Sequence, residues 1–307
     1  MKYYYAPLEG ITGCLYRNCH MEFFPGVDAY FAPFISTSHS SDKRKKEMRD
    51  ILPENNPGQP LVPQLLSNNA ELFSEYEKAI ADLGYQEVNL NLGCPSKTVV
   101  AKRRGSGFLE DLDVLHRFLD QIYQNKTIDI SIKTRIGLHN ADSFGPLMEI
   151  YNEYPIKELT IHPRTQKDFY GGTPNMELFC LGYAMSKNPV CYNGDLCTVA
   201  DVRQIEIAFP NLSSIMIGRG LLRNPGLIGE LKGEAPVSMH HLNAYHDELL
   251  ARYKVRMSGD TPVLYKMKEF WAFMGLSYPE KEKTLKKIKK CQRLTDYDAL
   301  AREMFQA

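Results

Sequence analysis

No apolar run in the 307-residue chain approaches the ~20 residues that a membrane-spanning helix needs. The start, Met1-Lys2-Tyr3-Tyr4-Tyr5, carries no apolar segment of the signal-peptide kind. The seven cysteines, at 14, 19, 94, 180, 191, 197 and 291, include no C-x-x-C pair, and their number is odd. That pattern argues against a zinc site and a disulfide framework; no metal and a reducing cytoplasm are expected. Net charge is also missing, because 37 Lys and Arg balance 37 Asp and Glu. In bulk, the chain does not advertise a nucleic-acid partner. No Walker lysine motif and no Rossmann-type Gly-x-Gly-x-x-Gly opens a helix. P-loop chemistry and a Rossmann-bound dinucleotide are thereby set aside. There is no repeat of solenoid period and no low-complexity segment. What remains is ordinary globular composition, 43% hydrophobic and 24% charged, in a length that suits one large domain and a smaller one.

Against these absences, the stretch Glu87–Ser96 stands out. Val88, Leu90 and Leu92 alternate with polar neighbours at period two, which predicts a strand. The pattern breaks at Gly93-Cys94-Pro95-Ser96, so a thiol is presented on a turn just past the strand end. Asn91 lies three residues earlier, with polar atoms near the same place. A lone cysteine is commonly a small core residue, and thiol reactivity depends on exposure and local charge, so both readings stand.

The rest of the chain supplies a frame for this turn. Candidate strands are Tyr3–Ala6, Ala29–Ala32, Leu61–Leu65, Glu87–Leu92, Asp129–Thr134, Glu158–His162, Val190–Asn193 and Ser214–Gly218. Amphipathic stretches lie between them, at Ala70–Leu83, Leu112–Tyr123, Phe144–Tyr154, Met176–Met185 and Val199–Phe209. The second unit is the least regular: its helix falls on Ser38–Ile51, very polar and ending at Pro53, and could be partly loop. Alternating units of this kind predict an α/β fold, a (β/α)8 TIM barrel, over residues 1–235. After Gly233 the strand signals stop. Residues 236–307 read as a small all-α helical bundle with helices at His240–Met257, Pro262–Leu276, Glu280–Arg293 and Tyr297–Phe305.

In such barrels chemistry sits at the C-terminal ends of the strands. Those ends carry Pro7, Gln64, Asn91 with Cys94, Lys133 with Arg135, His162, Asn193-Gly194-Asp195 and Gly218-Arg219-Gly220. Gly194 and Gly218-Arg219-Gly220 fall in the loops where barrels commonly bind phosphate, and they supply small residues and a cation. Three basic runs could face a phosphate backbone or simply water: Lys43–Lys46, Lys97 with Lys102–Arg104, and the lysines from Lys281 to Lys290 with Arg293.

Asn91-Leu92-Gly93-Cys94-Pro95-Ser96 resembles the active-site motif of the tRNA-dihydrouridine synthases. The likeness extends over essentially the whole chain. Ala6–Thr12, Pro63-Gln64-Leu65, Lys133-Thr134-Arg135, His162-Pro163-Arg164-Thr165, Asn193-Gly194-Asp195 and Gly218-Arg219-Gly220 fall in that family's order. Leu8 and Pro163 depart from the family's commoner Met and Gly or Ala. The resemblance implies that Pro7, Gln64, Lys133, His162, Asn193, Gly194, Asp195, Gly218 and Arg219 line an FMN. Lys133 would stabilise the anionic reduced flavin, and His162 would position substrate or assist proton transfer. NADPH would be the reductant. Cys94 would protonate C5 of a uracil whose C6 receives hydride, while Asn91, Arg135 and Tyr170 hold the uridine. Nucleophilic catalysis is the competing role for the thiol. The helical segment would grip folded RNA, and the target base must leave its stack. Gly93–Val99 and Gly259-Asp260-Thr261 are most similar to the subgroup acting at position sixteen of tRNA. A monomer is expected. Reduction of a free pyrimidine by the same barrel, or of ribosomal RNA, is the alternative.

Overall fold

The computed structural model describes residues 1–306. Its sheet has ten hydrogen-bonded segments, all in parallel register. Two pairs of segments are single strands interrupted at a proline. Ala29–Phe31 continues past Pro33 as Ile35–Ser36, and Leu61–Val62 continues past Pro63 as Gln64–Leu66. Proline cannot donate to a ladder, so pairing lapses there and resumes. Joined in this way, the ten segments make eight strands, the others being Lys2–Tyr5, Glu87–Leu92, Asp129–Arg135, Leu159–His162, Val190–Tyr192 and Ser214–Ile217. Strand eight pairs with strand one, and both halves of strand two pair with both halves of strand three, so the ring closes. The eight-stranded barrel read from the sequence is therefore the fold. Strand boundaries agree within a residue or two, except for the second half of strand two, which the sequence pattern does not mark.

The helices α1 to α8 are Cys14–Phe23, Ser41–Met48, Ala70–Asp82, Lys97–Val100, Leu112–Gln124, Phe144–Tyr151, Met176–Met185 and Val199–Ala208. Side-chain caps explain several starts: Asn69 accepts from the Leu72 amide, Asp111 from Val114 and Asn175 from Leu178, while Thr198 and Asp201 form a capping box. The polar second unit is a helix after all. Ser40 caps α2, and a 3-10 turn at Arg49–Ile51 follows it. Short helices α9 (Arg219–Arg223) and α10 (Leu227–Leu231) follow strand eight. Helices α11 (Met239–Arg256), α12 (Asp260–Met274), α13 (Glu282–Lys290) and α14 (Leu294–Phe305) match the four expected in the tail.

Strand four shows how the pattern places the site. Val88, Leu90 and Leu92 are fully buried in the main core, while Asn89 and Asn91 point the other way, into the barrel. Inside the barrel, Tyr4, Phe31, Val62, Cys191, Met216 and Ala6 form a separate apolar plug. Ala6 and Met216 also form part of the wall of the cavity above it. The tail docks on the outside. Tyr245 of α11 packs edge-on to Tyr16 of α1, with ring centroids 6.4 Å apart. Tyr245, Phe270, Trp271 and Tyr297 belong to the same continuous core as the barrel helices. Each such buried aromatic contributes roughly 2–3 kcal/mol. Among the described residues no helix is long and apolar enough to cross a membrane.

Candidate active site

Every candidate catalytic, cofactor-binding and substrate-binding residue read from the sequence lines one cavity of about 940 Å³ at the C-terminal mouth of the barrel. Pro7, Gln64, Asn91, Cys94, Lys133 and Arg135 come from strands one to five and their loops. His162, Tyr170, Asn193, Gly194, Asp195, Gly218 and Arg219 come from strands six to eight and theirs. The volume is of the size that holds a cofactor-sized ligand.

The thiol sits on a turn braced from several sides. Asn91 Oδ1 accepts from the amides of Gly93 (3.0 Å) and Cys94 (2.9 Å). The Cys94 carbonyl accepts from Ser106 Oγ at 2.8 Å, and the Pro95 carbonyl from Gln166 Nε2 at 2.9 Å. Burial pushes the Cys94 thiol above its ordinary 9.0. The Ser96 amide opposes that rise, Glu9 adds to it, and Arg135 and Lys133 oppose it. The thiol therefore keeps its proton at neutral pH. That suits an acid and works against a thiolate nucleophile.

Gly105 lies against this turn at φ +55°, where an added Cβ would stand 2.9 Å from the Cys94 carbonyl oxygen and 3.0 Å from its Cβ. Gly105→Ala is expected to cost about 1–2 kcal/mol from backbone strain and to displace the thiol. A displacement of ~1 Å would lower turnover about 100-fold. A thermal melt and a rate on the same sample check this; an unchanged rate would mean that the turn tolerates the shift.

Lys133 stands in the cavity wall with no hydrogen-bond or ion-pair partner among the described residues. Burial, then Arg135, lowers its ammonium from 10.5 to about 8. The neighbouring Cys191 and Cys94 only partly offset this. A lone, desolvated ammonium is a built-in demand for an anion. On the facing side, Gly220 lets two loops approach closely: a Cβ there would be 1.9 Å from the Leu196 carbonyl oxygen. Gly194 is similarly crowded by Tyr192 Oη at 2.9 Å. This combination fits a ligand that carries negative charge, such as a phosphate.

Several predicted contacts are already committed within the protein. Asn91 Nδ2 donates to Gln64 Oε1 (2.8 Å), and Gln64 Nε2 donates to Asn89 Oδ1 (2.8 Å). The chain continues down the barrel from Asn89 to Ser131 and Glu87. Gln64 and Asn91 thus hold each other, and each keeps one N–H for a ligand. Asn193 Nδ2 donates to the Met216 carbonyl at 2.8 Å. Arg135 is 1% exposed, and its guanidinium donates to the carbonyls of Gly93 (2.9 Å), Thr165 (2.7 Å) and Phe169 (2.7 Å). It ties the thiol turn to the loop carrying Tyr170, a role that the sequence did not suggest. Tyr170 is half exposed, with the Arg219 guanidinium 4.8 Å and the Arg135 guanidinium 5.5 Å from its ring centre.

Asp195 adopts φ +38° and pairs with both Arg164 and Arg219, the latter at 2.6 Å. Burial raises its carboxyl, but the two arginines prevail and hold it below the usual 3.8. His162 is buried, and its Nε2 lies 3.2 Å from Arg164 Nη1. Burial, then Lys133, Arg135, Arg164 and Arg219, holds its imidazole well below the ordinary 6.5. Sequence reasoning places Arg164 within a motif but gives it no task. It also misses the apolar rim of Phe34, Phe169 and Phe273. Phe273 comes from α12 and is the one residue after Gly220 in the cavity wall among those described. No local signal could have joined position 273 to a mouth built by residues 6–220.

The dihydrouridine synthase family model matches residues 4–293. The chain belongs to the dihydrouridine synthase family. It is similar to a tRNA-dihydrouridine(16) synthase of Pseudomonas syringae pv. tomato, 28% identical over 94% of this chain and 96% of that one. A tRNA-dihydrouridine(16) synthase of Pseudomonas putida is 27% identical over 90% and 88%. A probable tRNA-dihydrouridine synthase of Staphylococcus epidermidis is 28% identical over 72% and 68%. Among solved structures, morphinone reductase in complex with tetrahydroNAD superposes with a TM-score of 0.54 at 12% identity, over 77% of this chain and 88% of that one. The old yellow enzyme from Trypanosoma cruzi gives 0.53 at 10%, over 77% and 89%. These likenesses show the barrel fold. As a member of the dihydrouridine synthase family the chain is an oxidoreductase, and the cavity described above is its candidate active site.

Proposed function

We propose that this dihydrouridine synthase reduces the C5–C6 double bond of a uridine in tRNA, with Cys94 as the acid that protonates C5. The observation that carries the reading is a thiol on a braced turn, sharing a cavity with the Lys133 ammonium, which has no partner among the described residues. The hydride to C6 would come from a bound FMN, re-reduced by NADPH. Lys133 and the loops at Gly194 and Gly218–Gly220 would hold its negative charge. Asn91 and Arg135 fix the turn, so the thiol proton is delivered to one carbon from one side. Tyr170, backed by two guanidinium groups, would offer its face to the flipped base.

Position sixteen of tRNA is the proposed target. It is supported by the two Pseudomonas relatives bearing that designation, which align over nearly the full length. Residues 236–307 form the proposed RNA-gripping domain. On α13, Ile288 faces the core while Lys283, Lys286, Lys287, Lys289 and Lys290 face solvent. The run beside the thiol divides: Arg104 donates to Asn68, Ser36 and Thr37, whereas Lys97, Lys102 and Arg103 point outward. A cytoplasmic monomer suits this work.

The test is incubation of purified protein with FMN, NADPH and unmodified tRNA transcripts, followed by mass mapping. A gain of two hydrogens at U16 is expected. A gain at another uridine would refute the position, and NADPH oxidation with unchanged RNA would favour a small-molecule reductase. Phe273→Ala should raise the KM for tRNA about 10-fold, since base–aromatic stacking contributes about 1–3 kcal/mol. Its NADPH-driven flavin reduction should stay at the wild-type rate. An unaltered KM would remove α12 from substrate contact.

A further inference from the structure

Arg164 is a buried cation with nothing left to offer a ligand. A guanidinium has five N–H donors. Here Nε donates to the Gly171 carbonyl (3.0 Å), and Nη1 to Asp195 Oδ1 (2.9 Å) and His162 Nε2 (3.2 Å). Nη2 donates to the Gly172 carbonyl (2.6 Å) and to Asp195 Oδ2. The side chain is 1% exposed. Although Arg164 lies within hydrogen-bond reach of His162, it does not form part of the cavity wall.

The contact with His162 decides more than packing. Guanidinium only donates, so Nε2 of His162 must accept, and the ring proton must reside on Nδ1. Nδ1 meets no protein group among the described residues. It is also absent from the sealed, unpartnered polar atoms of the described residues, which are Arg223 Nε, Tyr245 Oη and Asp298 Oδ1. It therefore opens into the cavity that His162 lines. Protonation of Nε2 would set two N–H groups against each other in a buried place. The charged groups around the ring are Lys133, Arg135, Arg164 and Arg219, all cationic, and the nearby carboxylate of Asp195 is paired with both Arg164 and Arg219.

We infer that Arg164 is a positioning residue that locks His162 as the neutral Nδ1–H tautomer, so that His162 serves as a fixed hydrogen-bond donor to an oxygen or unprotonated nitrogen of the bound ligand. Of the two roles read from the sequence, this keeps positioning and removes proton transfer. It depends on the proposed function only for the identity of the acceptor. Asp195 completes the device by anchoring Arg164 through both carboxylate oxygens. Lysine could not replace Arg164, because it lacks the fork that reaches His162 and Asp195 together.

Nitrogen-15 spectra of histidine-labelled protein without ligand test this apart from any RNA chemistry. The His162 signals are assigned by their loss in His162→Gln. In the wild type, Nδ1 should be protonated and Nε2 bare from about pH 5.5 to 8. A ring protonated at Nε2, or one that titrates near 6.5, would overturn the inference. Arg164→Lys should release the tautomer, giving Nε2–H or a mixture while the buried His20 keeps its signals. An unchanged Nδ1–H tautomer in that variant would show that Arg164 is not the determinant. Should the variant lose its fold, seen as collapse of the His20 signals, the wild-type spectrum still decides. In the loaded enzyme, the pH profile of kcat/KM should carry no limb near 6.5.

Discussion

Replacing Cys94 by alanine is expected to lower dihydrouridine formation about 100- to 10,000-fold, the usual range for loss of a positioned acid. FMN binding and flavin reduction by NADPH should remain, because the thiol holds no backbone group in place. The braces of the turn run through the Asn91 amide, Ser106 and Gln166 instead. Stopped-flow reduction and single-turnover RNA reduction separate the two half-reactions. The pH dependence carries the sign of the role. Burial holds the thiol above 9.0, so wild-type activity should persist through neutral pH and fall as pH rises past that value. A nucleophile would behave in the opposite way, gaining activity as the thiolate forms. An alanine variant that reduces RNA at the wild-type rate would remove Cys94 from the chemistry.

Lys133→Met should make the ligand-free protein more stable and a poorer flavoprotein. The wild-type ammonium titrates at about 8 in the fold against 10.5 when exposed. Below about pH 8 the fold carries the full penalty of a desolvated charge, and the penalty fades as pH rises towards 10.5. Each tenfold loss of proton affinity corresponds to about 1.4 kcal/mol, so Lys133→Met should gain up to about 3.5 kcal/mol at pH 7 and little at pH 10.5. The same change should weaken FMN binding about 10- to 100-fold, the worth of a hydrogen bond to a charged group. Denaturant melts at two pH values and a flavin titration check both halves. A variant less stable than wild type at pH 7 would mean that Lys133 is structural.

Much of this was legible from local pattern. Strand four could be read because its apolar face is buried at every second residue, and a strand-end cysteine before a proline can only lie on a turn. The strand ends converged because a closed parallel barrel brings them to one mouth. Other features depended on distance in the chain. Strand two resumes after Pro33 because strand three offers it partners at Leu65 and Leu66, about thirty residues away. The commitment of Arg135 to three carbonyls, and of Arg164 to His162 and Asp195, follows from loop approach that spacing does not encode. Phe273 reaches the mouth only because α12 lies beside α9 and the loop at Gly10, whose carbonyl receives Lys266 Nζ.

The core runs unbroken from α1 through α11 to Trp271, so barrel and tail share one buried interior. Barrel and tail form a single anvil, and closing one against the other would tear aromatic contacts apart. In the proposed reaction, the deformation therefore falls on the RNA. The RNA must yield, unstack a nucleotide and swing it inward, at a few kcal/mol. On such a template selectivity would become mechanical: the chosen uridine would be the one whose surroundings bend most easily when the rest of the RNA is seated.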